Sequence, residues 1–199
     1  MLAIVTDGSI TKLLNQPKAL VIGDTQYSRK IFELWSVSEL EAKGIYEVVF
    51  DNTNKKDEAY YTNTDVSYNF AAGAVTASYG SATAKALADT LFTAQDEVDG
   101  KGTEGEVASK GLKTKHKRII KQQAASELAN TDWYITRKAD AGTAVPSAVT
   151  THRAAVRTRS GEMETLINNA ANVDALAALY VYNNDDPPVR PLGEFPEVV

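Results

Sequence analysis

The 199-residue chain, 43% apolar and 24% charged, is long enough to bury a core and balanced as globular proteins are. It contains no cysteine, which excludes disulfides and thiolate chemistry. The net charge of −5 hides three blocks: residues 1–100 carry −6, residues 101–160 carry +7 and residues 161–199 carry −6. Such blocks can complement one another within a homo-oligomer, or the basic middle can meet an acidic partner.

The opening MLAIVTDGSITKLL lacks the basic region and long apolar core of a signal peptide. No apolar run approaches the roughly 18 residues needed to span a bilayer, so a soluble protein with no membrane partner is expected. Residues 1–80 read as an α+β module, small, antiparallel, β-rich and with a short helix. Asp7-Gly8 between apolar runs predicts a hairpin with a type I′ turn, and Gly23-Asp24 marks another turn. Ile31, Leu34 and Trp35 share one helical face; Ser36 with Glu39 three residues on predicts a capping box, and Gly44 closes that turn before the strand IYEVVF. Alternation in VSYNFAAGAVTASYG predicts a hairpin around Gly73.

After Gly80 the pattern changes to helical, and residues 81–182 are expected to form a mostly helical region. Leu87, Leu91 and Val98 fall near one stripe of a first helix. Val107, Leu112, Ile119, Ile120, Ala124 and Leu128 fall on one face of a second. Pro146 suits the first turn of a third, where Val149, Val156, Met163 and Ala170 recur every seven residues. Asn172 can cap a last short helix. Residues 183–199, holding four of the six prolines, read as an extended arm or flexible end in which Phe195 could anchor a partner.

Motifs for chemistry are missing. Gly100, Gly102 and Gly105 spell G-x-G-x-x-G, but the acidic AQDEVD before them is not the strand a dinucleotide fingerprint requires, so no cofactor is expected. His116 and His152 stand 36 residues apart without ligand spacing, which leaves no metal site, and His116 reads as a packed histidine. No nucleophile elbow and no paired carboxylates in an apolar setting are present, so no catalytic residue is assigned. The basic helix 110–121 could track phosphates, but it holds no aromatic ring; a solvated helix face is favoured over a nucleic-acid grip.

Residues 131–161 concentrate the remaining signal. Thr131 or Asp132 can cap the end of the long helix, and Trp133 with Ile135 offers a large anchor expected to pack a helical corner. Arg137 can reach a helix C-terminus or a carboxylate. Arg153 and Arg157, four apart on one face, repel and want acidic partners, with Asp132 and Asp140 near in sequence.

The stretch ELANTDWYITRKADAGTAVPSAVTTHRAAVR resembles a segment of bacteriophage tail-fibre assembly chaperones and related small tail proteins, matched at Thr131, Asp132, Trp133, Arg137, Pro146, Arg153, Val156 and Arg157. His152 stands where that pattern often has Tyr, and Val156 replaces its usual Leu. The earlier IFELWSVSELEAKGIYEVV is similar to a second such segment at Trp35, Ser36, Glu39, Leu40, Gly44, Ile45 and Tyr46. The resemblance covers about a quarter of the chain and leaves the long region between its two segments unmatched. It implies a non-enzymatic tail protein, on the virion or in the host cytoplasm during assembly. Such a protein would bind fibre or baseplate subunits, with Trp35, Trp133, Arg137, Arg153, Arg157 and Phe195 as candidate contacts. A nucleic-acid-binding module on helix 110–121 is the alternative.

Overall fold

Two hairpins with left-handed turns organise the first third of the chain in the computed structural model, which describes residues 1–197. Strands β1 (Leu2–Thr6) and β2 (Ser9–Leu14) join through Asp7 (φ 50°) and Gly8 (φ 75°); β7 (Val66–Ala71) and β8 (Ala74–Tyr79) join through Ala72 (φ 51°) and Gly73 (φ 77°). Two consecutive positive-φ residues give the turn a twist that matches the strands. Between them lie β3 (Leu20–Ile22), β4 (Thr25–Tyr27), α1 (Ile31–Leu34), α2 (Val37–Glu41), β5 (Ile45–Asp51) and β6 (Tyr61–Thr62). The chain divides into two units, Met1–Thr83 and Ala84–Val199, and is an α+β protein.

In the first unit a five-stranded sheet runs β2-β1-β5-β8-β7, antiparallel apart from the parallel pair β5–β8. Alternation sorts its side chains into two cores. Ala3, Val5, Val48, Val75 and Ala77 are buried on one side, with Ile10, Tyr46, Tyr68 and Phe70 against them. Ile4, Leu14, Leu20, Ile31 and Ile45 are buried on the other, where Tyr27, Phe32, Trp35 and Leu40 pack. Ile10 and Leu14, an even number of residues apart, serve opposite cores because the β1–β2 register shifts between Ile4 and Val5. Thr11 is the extra residue of that bulge, and its hydroxyl donates to the Ile4 carbonyl at 3.2 Å. The capping box is present: Ser36 Oγ accepts from Glu39 N–H at 3.3 Å and Glu39 accepts from Ser36 N–H at 2.8 Å. These bonds hold the Glu39 carboxyl below its usual range, the backbone bond from Ser36 most of all.

The second unit holds β10 (Thr90–Leu91), α3 (Ala94–Val98), β11 (Val107–Ser109), α4 (Leu112–Ala129), α5 (Asp132–Ala141), α6 (Ser147–Asn169) and α7 (Val173–Ala178); the two-residue β9 (Thr83–Ala84) lies at the boundary. The expected helix bearing Leu87, Leu91 and Val98 is not formed. Only Ala94–Val98 is helical; Leu91 and Val98 are exposed. The backbone of this stretch is used elsewhere. Ala86 and Leu87 carbonyls accept the Leu112 and Lys113 N–H groups at 2.9 and 3.0 Å, and Asp89 accepts from Gly111 N–H at 2.8 Å. The segment thus satisfies donors that the start of α4 cannot satisfy internally. The G-x-G-x-x-G stretch follows α3 as a loop leading to β11.

The α4–α6 pair forms the core of this unit. Leu112, Ile120 and Ala124 of α4 are buried, as are Val156, Met163 and Ile167 of α6, with Val173 and Leu176 of α7. Side-chain contacts set the helices antiparallel: Lys121 pairs with Glu164 at 3.4 Å and Lys113 Nζ donates to the Asn168 carbonyl at 2.7 Å. Asn172 caps α7 by accepting from Ala175 N–H at 2.8 Å. The region after α7, expected as an extended arm or flexible end, has no helix or strand as far as Glu197 and packs back on α6 and α7. Leu192 is fully buried, its N–H donates to the Leu179 carbonyl at 2.9 Å, and Arg159 of α6 donates to the Leu192 and Glu194 carbonyls at 2.6 and 3.1 Å. Leu192 and the Arg159 guanidinium tie this proline-rich segment to α6 and α7, and Arg190, paired with Glu194, braces it from within. Val198 and Val199, the end of the expected arm, lie outside the described residues.

Candidate functional site

The α4–α5 corner is built around a buried arginine. Arg153 of α6 is 7% exposed, and its Nη1 donates to the Leu128 carbonyl at 2.8 Å and to Thr131 Oγ1 at 2.7 Å. Thr131 Oγ1 in turn donates to the Leu128 carbonyl at 2.9 Å, and Arg153 Nη2 pairs with Asp132 at 2.8 Å. One guanidinium therefore satisfies a carbonyl at the last turn of α4 and meets the first acidic residue of α5, where the helix dipole also favours a carboxylate. This role corrects the expectation that Arg153 is a partner contact: it is internal.

At its other end α5 stops at Gly142, whose left-handed backbone (φ 69°) lets its N–H close on the Lys138 carbonyl at 3.0 Å. Between these fixed ends α5 buries no residue. Trp133 is 51% exposed and Ile135 is 43% exposed. This corrects the reading of Trp133 as a packed core anchor. α5 buries no side chain against the rest of the unit, so the indole stays half in solvent.

Trp133, Tyr134 and Arg137 instead pack on one another. The rings lie 4.1 Å apart between centroids, inclined at 34°. The Arg137 guanidinium sits 4.6 Å from the Trp133 ring centre and 5.5 Å from that of Tyr134. The i,i+4 spacing of Trp133 and Arg137 places them on one helix face, and a cation over an indole is worth about 0.5–1 kcal/mol at an exposed site. Arg137 forms no ion pair among the described residues, and its Nε is shut from solvent without a hydrogen-bond acceptor. Arg157, one turn beyond Arg153, is exposed; its sole partner among the described residues is the Arg153 carbonyl, at 3.4 Å.

The remaining candidates lie elsewhere. Trp35 belongs to the first unit's core, edge-on to Tyr27 at 5.4 Å, with one side on a shallow recess shared with Glu39, Ala42 and Lys43. Phe195 is half-buried on the C-terminal return. The sequence reading did not single out Tyr134 or the exposure of Ile135; the alternation of Trp133 and Ile135 with Tyr134 and Arg137 along α5 was the available signal.

His152 is 5% exposed, and neither ring nitrogen has a partner among the described residues. His116 of α4 is half-buried, with Nδ1 2.7 Å from the Tyr180 hydroxyl; burial lowers its pKa. Among the described residues no group of His, Asp or Glu gathers as metal ligands do, and no helix is long and apolar enough to cross a membrane. The geometry suits presentation of an aromatic-cationic surface. No protein-family model matches the chain, and neither a curated protein nor a solved structure shows significant similarity to it.

Proposed function

We propose that this chain is a non-enzymatic bacteriophage tail component, a fibre-associated structural protein or a fibre-assembly chaperone, that binds fibre or baseplate subunits through α5. The observation that carries the reading is the surface of α5. A ten-residue helix held at both ends leaves a Trp and an Ile in water, with an Arg stacked on two rings. Trp, Tyr and Arg are the residues that dominate binding energy where proteins meet. The same residues lie within the segment that resembles tail-fibre assembly proteins, which supplies the phage context. Its place is the virion, or the host cytoplasm while fibres assemble.

A nucleic-acid role for α4 has less support. Two of its cations, Lys113 and Lys121, are engaged by Asn168 and Glu164, and the helix carries no Phe, Tyr or Trp for bases to stack on. The test is co-sedimentation of the purified protein with each fibre and baseplate subunit of its phage. Retention of one subunit, reduced by Trp133→Ala at unchanged melting temperature, supports the reading. Binding of no tail subunit, with salt-sensitive DNA binding in its place, refutes it.

A further inference from the structure

We infer that the α5 surface takes an acidic protein segment studded with apolar side chains, its carboxylate meeting Arg137 and its apolar group meeting Trp133. This rests on the partner-binding reading above and names the chemistry of the partner. Three arginines, Arg137 of α5 and Arg153 and Arg157 of α6, differ in how they are satisfied. Arg153 has taken Asp132, whereas Arg137 and Arg157 have no carboxylate among the described residues. Asp140, three residues from Arg137 on the same helix, does not pair with it. Covering Arg137 with a purely apolar partner would strip water from a cation and give nothing back, a costly arrangement. A carboxylate supplies the missing charge, and a guanidinium resting 4.6 and 5.5 Å from two ring centres is already held in place to receive it.

The apolar half follows from Trp133, half-exposed and on the same helix face as that charge. A protein segment fits better than a nucleic acid. The indole already packs against Tyr134 at 4.1 Å and Arg137 at 4.6 Å, which leaves less of its π-face for a base, while its exposed surface suits aliphatic or aromatic side chains. Because Arg153 and Gly142 fix the two ends of the helix, little ordering entropy is lost on docking.

The probe is a short helical peptide of Glu and Leu, compared with its Lys and Leu counterpart and with a single-stranded DNA oligomer. Trp35→Phe leaves Trp133 as the single indole of the full-length protein, so its emission reports binding. The Glu/Leu peptide should bind, weaken as salt rises, and lose affinity about tenfold in Arg137→Gln, a typical hot-spot loss. Ile135→Ser, two residues from both Trp133 and Arg137 and so on another face of α5, should leave the peptide's affinity unchanged. Equal binding of the acidic and basic peptides, preference for DNA, or an affinity in Arg137→Gln no lower than in Ile135→Ser would overturn the inference. Capture of a tail subunit equally well by intact protein and Arg137→Gln would sink the inference and leave the tail reading standing. Binding of the Glu/Leu peptide without any tail subunit would do the opposite.

Discussion

Arg153 is the side chain on which the α4–α5 corner depends, and its replacement by Met isolates the reason. Met keeps the apolar stem and roughly the length while removing every donor. Three interactions are lost, and they are unequal. The Asp132 carboxylate is largely in water, its side chain 61% exposed, so that pair is worth under about 1 kcal/mol. The bonds to the Leu128 carbonyl and Thr131 Oγ1 come from a charged, buried donor and are worth about 1.5–3 kcal/mol each. They do not add fully. Thr131 still donates to Leu128 after the change, and removing a buried cation relieves its desolvation. A net cost of about 2–3 kcal/mol follows, a loss in melting temperature on the order of 10 °C for a unit of this size. Asp132→Asn should cost less than about 1 kcal/mol. Urea denaturation followed by far-ultraviolet ellipticity measures both. Equal losses in the two variants would show that the exposed ion pair holds the corner, and no loss in Arg153→Met would show that the carbonyl lock is dispensable.

Other consequences are open to the same measurements. Gly193 has φ +72°, and a Cβ there would run into the Arg159 guanidinium; Gly193→Ala should release the C-terminal return and speed hydrogen exchange at the Leu192 N–H, which is bonded to Leu179. Unchanged protection would mean that the strap does not depend on this glycine. Ala72 is a non-glycine residue with φ 51° in the β7–β8 turn, so Ala72→Asn, better tolerated there, should raise stability by up to about 1 kcal/mol in a thermal melt. A lower melting temperature would contradict that account. The pKa of His116 is lowered by burial, so the unfolded chain takes up the proton more readily than the folded one. Its contribution to stability is level above the ordinary imidazole value of about 6.5, and stability declines as pH falls below that toward the folded-state value. His116→Phe should flatten that decline; an identical pH profile in the variant would rule out His116 as its source.

Much of the fold was legible because its signals are local. Asp7-Gly8, the alternation of 66–79, the Ser36–Glu39 box, Pro146 and the Asn172 cap are each read within a few residues, and each stands in the structure as expected. The failures are non-local. Leu87, Leu91 and Val98 have helical spacing, but the backbone at Ala86 and Leu87 is committed to the start of α4, more than twenty residues downstream. The parallel pairing of β5 with β8 joins strands separated in sequence by β6 and β7, and no residue of either strand announces it. At the site, the sequence pointed to Trp133, Arg137, Arg153 and Arg157 but could not assign inside and outside. An arginine is buried and a tryptophan exposed, the reverse of what hydrophobicity alone suggests, because a carbonyl at the end of α4 needs a donor and α5 buries no side chain.

The central claim is that α5 is where this protein meets a tail subunit. A photo-crosslinking phenylalanine in place of Trp133, irradiated in infected cells, tests it at the residue itself, with the captured chain identified by mass spectrometry. The account predicts one dominant product with a fibre or baseplate subunit, joined at an acidic, apolar-bearing segment. Crosslinks to nucleic acid, or no product despite normal folding and expression, would contradict it.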